Sequence, residues 1–242
     1  MALRTFHWRD FPADRLAEAK GDRCVSVCLP ARNEAATVGE IVERISGLAV
    51  VDEIVVVDDG SSDATAGVAS AAGARVVGAV GRGKGDALRQ AVGAAKGEVL
   101  AFCDADILGF DPGFVTGLLG PLLADPAVGF VKGTYLRPDD GGRVTELLAR
   151  PLLAVLFPEL AGFTQPLAGE FAARRAVLER LPFPSGYGVD LALLIDTAAL
   201  IGLGAMAQVD LGERRHRNRP LAELRPQAEE VLRTVLARAP RP

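Results

Sequence analysis

Two carboxylates, Asp104 and Asp106, follow directly on an apolar run at residues 99–103. A buried strand gains nothing from two negative charges at its end unless a positive partner lies there. An Asp-x-Asp pair in this position can hold a divalent cation through its oxygens, with phosphates completing the coordination shell. A polar turn that stops the strand is the simpler interpretation of the motif alone. The other polar clusters of the chain therefore decide between a metal site and a turn.

Polar clusters also follow two earlier apolar runs. The first, Pro30-Ala31-Arg32-Asn33-Glu34, offers an amide and a carboxylate that could hydrogen-bond a base edge. Taken alone it is better explained as the cap of the next helix. The second, Asp58-Asp59-Gly60-Ser61, places two adjacent acids where they repel each other unless a partner is supplied. An Asp can bond a base or ribose there, and Gly60 lets the backbone come close, so this cluster indicates a ligand more strongly.

A glycine-rich segment with two cations, Gly81-Arg82-Gly83-Lys84-Gly85, precedes a predicted helix. Backbone N–H groups, the helix dipole and the two charges would suit a phosphate. The segment lacks the spacing of a P-loop, and a flexible surface turn explains it equally well. With the acidic pair downstream, however, all the clusters fit a nucleoside diphosphate. Asn33, Glu34 and Asp58 would contact one end of this ligand, and Lys84 would contact its phosphates. Asp106 would hold a metal ion.

A basic cluster lies near the end of the chain, with four arginines flanking His216 at residues 212–220. A solvated basic loop is the usual explanation for such a run. An imidazole can nevertheless complete a metal shell made mostly of carboxylate and phosphate, and arginines suit anionic substrates. The other histidine, His7, does not belong to any such cluster, and we assign it no role.

Composition excludes several classes of protein. The net charge of −4 argues against a nucleic-acid partner, which favours a basic protein. No apolar run reaches the roughly 18 residues of a membrane span, and the first 20 residues do not resemble a signal peptide. The cysteines, Cys24, Cys28 and Cys103, lie in strand-like runs without metal-ligand spacing. We therefore expect a soluble cytoplasmic protein without nucleic-acid or membrane partners.

The order of predicted elements defines the fold class. Strands are predicted at residues 24–29, 54–57, 75–77 and 99–103, and they alternate with helices at 36–45, 64–72 and 86–95. This βαβα order predicts an α/β fold with a doubly wound, mostly parallel sheet flanked by helices. The second half adds helices at 114–123, 144–156, 189–201 and 221–239, and strands at 128–135 and 205–211. Because ligands bind beyond the carboxyl ends of such strands, the polar clusters should converge on one crevice.

The same segments resemble a known family. Residues 30–34, 58–61, 83–85 and 104–106 are similar to the nucleotide-binding half of GT-A glycosyltransferases. Residues 141–147, 165–170, 186–190 and 216–220 are more specific: they resemble the retaining family 81, the glucosyl-3-phosphoglycerate synthase family, which is related to family 2. The resemblance covers residues 25–239 and implies a single GT-A domain over residues 1–242. Residues 22–136 would bind the nucleotide sugar, and residues 137–242, with a C-terminal helix, the acceptor.

The resemblance also implies a role for individual residues. Asn33, Glu34 and Ser61 would hold the uridine and Lys84 the diphosphate. The implied donor site as a whole comprises Pro30, Ala31, Asn33, Glu34, Asp58, Ser61, Lys84, Asp104, Ala105, Asp106, Gly169 and Glu170. The implied acceptor site comprises Gly142, Arg143, Thr145, Tyr187 and Asn218. Catalytic roles would fall on Asp190, Lys84 and Leu167, and Asp106 and His216 would bind Mg²⁺ or Mn²⁺. Asp190 stands where the family motif has Glu, so its carboxylate reaches one methylene less far.

The implied reaction is metal-dependent transfer of glucose from UDP-glucose to the 2-hydroxyl of 3-phosphoglycerate, with retention at the anomeric carbon. The family also implies a homodimer. Three alternatives stay open at this point. One is a family-2-like transferase with another acceptor, another is a mannosyl donor, and the third is a homologue that binds a nucleotide sugar without turnover.

Overall fold

The structure, a computed structural model, describes residues 3–79, 83–137, 142–214 and 221–240. The strands among these residues are β1 (Arg4–His7), β2 (Val25–Ala31), β3 (Glu53–Asp58), β4 (Arg75–Gly78), β5 (Val99–Phe102), β6 (Phe130–Leu136), β7 (Phe171–Arg174) and β8 (Met206–Glu213). The helices are α1 (Ala13–Lys20), α2 (Val38–Ser46), α3 (Thr65–Ala71), α4 (Lys84–Ala94), α5 (Gly113–Ala124), α6 (Arg150–Leu156), α7 (Arg175–Leu178), α8 (Val189–Ile201) and α9 (Leu221–Leu236).

These strands form one sheet in the order β1-β8-β6-β7-β5-β2-β3-β4. Every pairing is parallel except those of β7, which runs antiparallel to both β5 and β6. The predicted mostly parallel α/β sheet is therefore confirmed. The sequence reading missed β1 and β7, because one is mixed in polarity and the other has only four residues, two of them alanine.

Helices cover both faces of the sheet. Alternate residues of β2 show why: Val27 and Leu29 join the core under α2 and α5, whereas Cys28 joins the core under α4 and α8. Both faces of a central parallel strand are thus buried, which accounts for its continuous apolar sequence. Cys28 and Cys103 are buried and unpaired, as their apolar surroundings predict.

Element boundaries follow the predicted ones closely, with one change of type. The predicted helix at residues 189–201 is confirmed at both ends as α8. The predicted helix at residues 144–156 begins instead with a π-helical turn, Thr145–Ala149, that leads into α6. Pro151 lies just after this turn and has no N–H to donate, which is consistent with the local change in hydrogen bonding.

Among the described residues, no helix is long and apolar enough to cross a membrane. The crevice predicted beyond the carboxyl ends of the strands is present, and it is bounded on its far side by α9, which packs against α8.

Candidate active site

The carboxyl ends of β2 and β3 are tied together by side chains predicted to contact a nucleoside. Asn33 has a positive φ of 58°, and its backbone N–H donates to Ser61 Oγ at 2.9 Å. Its Oδ1 accepts from the N–H of Ser62 at 2.8 Å. Asp58 accepts from both the backbone and the hydroxyl of Ser61. Asn33, Asp58 and Ser61 therefore form one preorganised network, although they are distant in sequence.

A cavity of about 410 Å³ opens beside this network. We call it the Pro30 cavity, and its lining is Pro30, Ala31, Arg32, Glu34, Asp59, Gly83, Lys84, Ala87, Asp104, Ala105, Asp106, Gly186, Tyr187 and Glu230. The second acid of the Asp58-Asp59 pair, not the first, faces the cavity: Asp59 is buried, and its Oδ2 accepts from the Gly83 N–H at 3.1 Å. The motif alone does not distinguish the two acids, so this position of Asp59 could not be predicted from it.

The glycines on either side of Lys84 allow close packing of neighbouring segments and a turn of the backbone. A Cβ on Gly85 would lie 1.8 Å from the carbonyl oxygen of Pro184, so only glycine allows the segment before α8 to approach α4. Gly83 has a positive φ of 96°, which glycine adopts without strain. Lys84 is thereby placed at the first residue of α4, with its side chain directed towards β5. Gly81 and Arg82 lie outside the described residues.

Lys84 connects the acidic pair to α8. Its Nζ donates to Asp190 Oδ2 at 3.0 Å and lies 3.2 Å from Asp104 Oδ1. Burial alone would lower the pKa of Lys84, but the charges of Asp104 and Asp190 outweigh it and raise that pKa. Burial raises the pKa of Asp190, and Lys84 only partly offsets this. Lys84 is thus a permanent cation at the centre of the crevice.

The acidic pair has a second cation, which the sequence reading did not assign. Arg214 is only 4% exposed, and its Nη2 donates to Asp104 Oδ2 and to Asp106 Oδ1, both at 2.9 Å. Arg214 belongs to the basic cluster whose arginines we expect to serve anionic substrates, and in this structure it binds the protein's own carboxylates. Burial would raise the pKa of Asp104, but Lys84 and Arg214 together hold that pKa well below its usual range.

Glu170 lies beneath this pair. It is fully buried, and its Oε1 lies 3.1 Å from Arg214 Nε. Burial raises the pKa of Glu170. Gly169 makes room for the carboxylate above, because a Cβ there would lie 2.2 Å from Asp104 Oδ1. The segment that precedes β7 therefore supports the acidic pair from below.

A second cavity, of about 190 Å³, lies on the other side of Lys84. We call it the Arg143 cavity, and its lining is Lys84, Asp104, Asp106, Arg137, Gly142, Arg143, Val144, Thr145, Leu167, Tyr187, Asp190, Arg214, Leu224, Gln227 and Val231. The predicted residues Gly142, Arg143, Thr145 and Tyr187 are thus brought together with Leu167 and Asp190. The sequence did not predict that α9 lines this cavity, because the pattern of an amphipathic helix does not indicate which surface the helix packs against.

Three basic side chains complete the surroundings: Lys132 and Arg214 are buried, and Arg137 is half-buried. Lys132 on β6 is 1% exposed and donates to the backbone carbonyl of Asp190, and burial lowers its pKa to about 8. Arg137 and Arg214 each stack on the Tyr135 ring, and both donate to its hydroxyl. Burial raises the pKa of Tyr135 to about 12, so this phenol remains a neutral hydrogen-bonding partner. Two features of the sequence could have indicated these side chains: Lys132 lies inside an apolar strand, and Arg137 follows that strand directly.

The predicted metal ligands are described only in part. Asp106 is in the crevice, with 43% of its side chain exposed, whereas His216 lies outside the described residues. Asn218 lies outside them too. In the part of the chain that the structure describes, no group of three or more His, Cys, Asp or Glu side chains is arranged to hold a metal.

Comparison with known proteins agrees with this geometry. The model of glycosyl transferase family 2 matches residues 26–186. Glucosyl-3-phosphoglycerate synthase of Mycolicibacterium smegmatis is 48% identical, over 92% of this chain and 80% of the relative. The crystal structure of glucosyl-3-phosphoglycerate synthase from Mycobacterium tuberculosis with Mn²⁺, UDP-glucose and phosphoglyceric acid is 46% identical, with a TM-score of 0.94. The alignment covers 100% of this chain and 89% of that one.

The crystal structure of mannosyl-3-phosphoglycerate synthase from Rubrobacter xylanophilus is similar as well. It is 44% identical with a TM-score of 0.94, over 97% of this chain and 80% of that one. Matches of this extent are not confined to the nucleotide-binding half, since they include the segments that line the Arg143 cavity. The chain is therefore a member of glycosyl transferase family 2 and of the glucosyl-3-phosphoglycerate synthase family.

Proposed function

We propose that the chain transfers glucose from UDP-glucose to the 2-hydroxyl of 3-phosphoglycerate, with retention at the anomeric carbon. One observation carries the proposal: the Pro30 cavity and the Arg143 cavity meet at Lys84 and the acidic pair. A nucleotide sugar and a phosphorylated acceptor could therefore lie on either side of one charged centre. The M. tuberculosis relative has been solved with Mn²⁺, UDP-glucose and phosphoglyceric acid, and also with UDP and glucosyl-3-phosphoglycerate.

On the donor side, residues 22–136 would supply most of the nucleotide-sugar site. The Asn33–Ser61 network supports a uridine site at the ends of β2 and β3, and Pro30, Ala31 and Glu34 line the adjoining cavity. Lys84 would contact the diphosphate, and Asp104 the ribose or the sugar. Gly169 and Glu170, which lie under Asp104, would keep the carboxylates of the donor site in position.

The acidic pair fits a divalent cation. Gly169 leaves room for the Asp104 carboxylate, and both carboxylates of the pair converge on one positive charge, that of the Arg214 guanidinium. Mg²⁺ or Mn²⁺, which related structures contain together with UDP, would be held by Asp106 and His216. A bound ion of this kind stabilises negative charge on the leaving diphosphate.

On the acceptor side, residues 137–242 would bind 3-phosphoglycerate. Gly142 has a positive φ of 81°, and the turn leads through Arg143 into the helix that begins at Thr145. A guanidinium, a hydroxyl and backbone N–H groups are suited to a phosphate dianion. Tyr187 and Asn218 would complete the acceptor site.

Lys84 and Asp190 would orient the reacting groups without forming a covalent bond to the sugar. Asp190 is almost fully buried and bonded to Lys84, which makes it a poor nucleophile. We expect a front-face reaction in which a leaving-phosphate oxygen takes the acceptor proton, and in which Leu167 lines the sugar pocket. Lys84 would stabilise the charge that develops on the diphosphate.

The test of this proposal is a matrix of UDP- and GDP-activated glucose and mannose against 3-phosphoglycerate and glycerate. We expect turnover with UDP-glucose and 3-phosphoglycerate, and NMR of the product should reveal an α linkage. A β linkage would instead make the enzyme inverting, with Asp190 as general base. Metal-independent UDP binding without any turnover would indicate a non-catalytic homologue.

Mannosyl transfer is a second candidate, because the R. xylanophilus mannosyl-3-phosphoglycerate synthase is almost as similar as the glucosyl enzymes. The two sugars differ only in configuration at one hydroxyl, so the choice depends on a few contacts. The same matrix distinguishes them by their ratio of kcat/KM.

We also propose a cytoplasmic homodimer. Three unpaired cysteines suit a reducing compartment. Large apolar side chains are exposed on the π-helical turn and on α6, among them Leu147 at 79% and Val155 at 78%, and a second copy could cover them. Light scattering after size-exclusion chromatography should give twice the mass of the chain.

A further inference from the structure

Two arginines share the ring of Tyr135, but they differ in their acidic partners. The guanidinium carbons of Arg137 and Arg214 lie 5.2 and 5.3 Å from the ring centroid, and both side chains donate to the Tyr135 hydroxyl. Arg214 has three carboxylates within 3.1 Å. Within the described part of the chain, no carboxylate forms an ion pair with Arg137.

The guanidinium of Arg137 is held in place but has most of its donors unused. It carries five N–H groups. Its Nη2 donates to the Tyr135 hydroxyl at 3.0 Å, whereas its Nε is buried without a hydrogen-bond partner among the described residues. Arg137 also lines the Arg143 cavity, with Nη1 beside Gly142, where a Cβ would lie 3.6 Å from it. An oriented, half-buried cation of this kind at a cavity wall is suited to an anionic ligand.

The position of Arg137 indicates which anionic group it would meet. It contacts the turn that would hold the acceptor's phosphate, and the Tyr135 hydroxyl links it to Arg214, which binds the acidic pair. In 3-phosphoglycerate the carboxylate is bonded directly to the carbon that carries the 2-hydroxyl. The phosphate is separated from that carbon by a methylene group and an oxygen. With the phosphate on the turn and the 2-hydroxyl facing the acidic pair, the carboxylate would lie between them, next to Arg137.

We propose that Arg137 binds the carboxylate of the acceptor and thereby selects a phosphorylated hydroxy acid over a phosphorylated alcohol. The inference rests on the proposed function, which assigns the acceptor's phosphate to residues 142–145. A guanidinium matches a carboxylate with two parallel N–H···O bonds. A neutral hydroxymethyl group at the same place cannot accept both bonds as an anion, and a site built to hydrogen-bond one substrate group rejects the analogue that lacks it.

The experiment measures the binding of three ligands to the full chain by calorimetry, in the presence of UDP and Mg²⁺. The ligands are 3-phosphoglycerate, D-glycerate, which lacks the phosphate, and D-glycerol 3-phosphate, which has a hydroxymethyl group in place of the carboxylate. In Arg137→Gln, the Kd of the two carboxylates should rise by about 10- to 100-fold, while that of D-glycerol 3-phosphate changes little. Arg143→Ala should give the reverse pattern, with weaker binding of the two phosphorylated ligands only.

Two further measurements distinguish this role from a structural one. The KM for UDP-glucose should stay unchanged in Arg137→Gln, whereas a disturbance passed through Tyr135 to Arg214 would raise it. Arg137→Lys restores the charge without the planar fork and should recover part of the affinity for 3-phosphoglycerate. Arg44→Gln, which removes an exposed arginine paired with Glu40, is the charge-matched control and should change none of these values.

Two results would overturn the inference while leaving the transferase proposal intact. One is unchanged binding of 3-phosphoglycerate in Arg137→Gln. The other is an equal loss of affinity for 3-phosphoglycerate and for D-glycerol 3-phosphate, which would assign Arg137 to the phosphate or to the structure of the turn. An unmodified protein that neither binds nor glucosylates 3-phosphoglycerate would overturn the proposed function as well.

Discussion

The two sides of the crevice are built on different principles. On the donor side, Lys84 and Asp104, which line both cavities, are largely buried, and with Asp190 from the Arg143 cavity they form ion pairs within the protein. On the acceptor side, the Arg143 cavity is reached through Gly142 and the π-helical turn, and it is closed by α9. One side is a rigid set of ion pairs, and the other is a basic turn at the surface.

This difference indicates what each side contributes to transfer. Prepaired charges cost little reorganisation during the reaction, so they are suited to stabilising the leaving group. A surface turn with a guanidinium and N–H groups recognises the acceptor's charge, and it is the side on which specificity can change without rebuilding the centre. Variants on the donor side should therefore affect kcat, and variants on the acceptor side KM.

The largest effect is expected on the donor side, for Lys84→Met. The substitution removes the cation that Asp104 and Asp190 share and the charge proposed to face the diphosphate. We expect kcat to fall by about 100- to 1,000-fold, in the range seen when a preorganised stabilising donor is lost. Lys20→Met, which breaks a partly buried lysine pair with Asp52 away from the crevice, is the control. A loss confined to KM would mean that Lys84 only binds the donor.

The contact between the two sides can be broken at Gly85. A Cβ there would lie 1.8 Å from the Pro184 oxygen, so Gly85→Ala forces the backbone before α8 away from α4. We expect the free energy of unfolding to fall by roughly 3 kcal/mol. Gly93→Ala lies in the same helix with open space around its Cβ, and it should stabilise the protein by about 0.5–1 kcal/mol. Urea unfolding measures both, and equal effects would contradict the proposed packing role.

The strands and the crevice on the donor side could be predicted well from the sequence, for a physical reason. Central parallel strands are apolar on both faces, and the polar residues that follow them must meet at one edge. The patterns at residues 54–57 and 99–103 therefore located both the strands and the acids that follow them. The convergence of Asn33, Asp58 and Ser61 follows from the same rule.

The rest depended on tertiary contacts that no local pattern contains. The four-residue strand β7 exists because it fills the gap between β5 and β6. Arg214 lies under Asp104 because of a register shift between two strands, and a basic run in the sequence does not reveal which of its arginines is buried. Lys132 is a single charge within an apolar strand, and only the fold brings it near Asp190.

Acceptor recognition can be tested with Arg143→Ala. The loss of one charge-assisted contact should raise KM for 3-phosphoglycerate by about tenfold to a hundredfold, while kcat and the KM for UDP-glucose change little. Arg150→Ala, which removes an exposed arginine paired with Glu146, is the matched control. Unchanged acceptor affinity in Arg143→Ala would refute the assignment of the phosphate site.

The smallest expected effect concerns the buried charge of Lys132. Burial lowers its pKa to about 8, whereas a lysine in the unfolded chain keeps its proton to about pH 10.4. Between these values the unfolded chain binds more protons, so Lys132 makes the folded state more stable as pH rises. At pH 7 the free energy of unfolding of Lys132→Met should therefore exceed that of the unmodified protein by about 1 kcal/mol. The substitution removes the cost of burying a charged amine, but the loss of the Asp190 contact offsets part of this gain. This advantage should shrink by pH 9.5 in urea unfolding, whereas Lys96→Met, at an exposed position, should show a constant difference. If the Lys132→Met difference were also constant, the buried amine would not titrate in this range, and the donor side would hold its charges still more tightly than we infer.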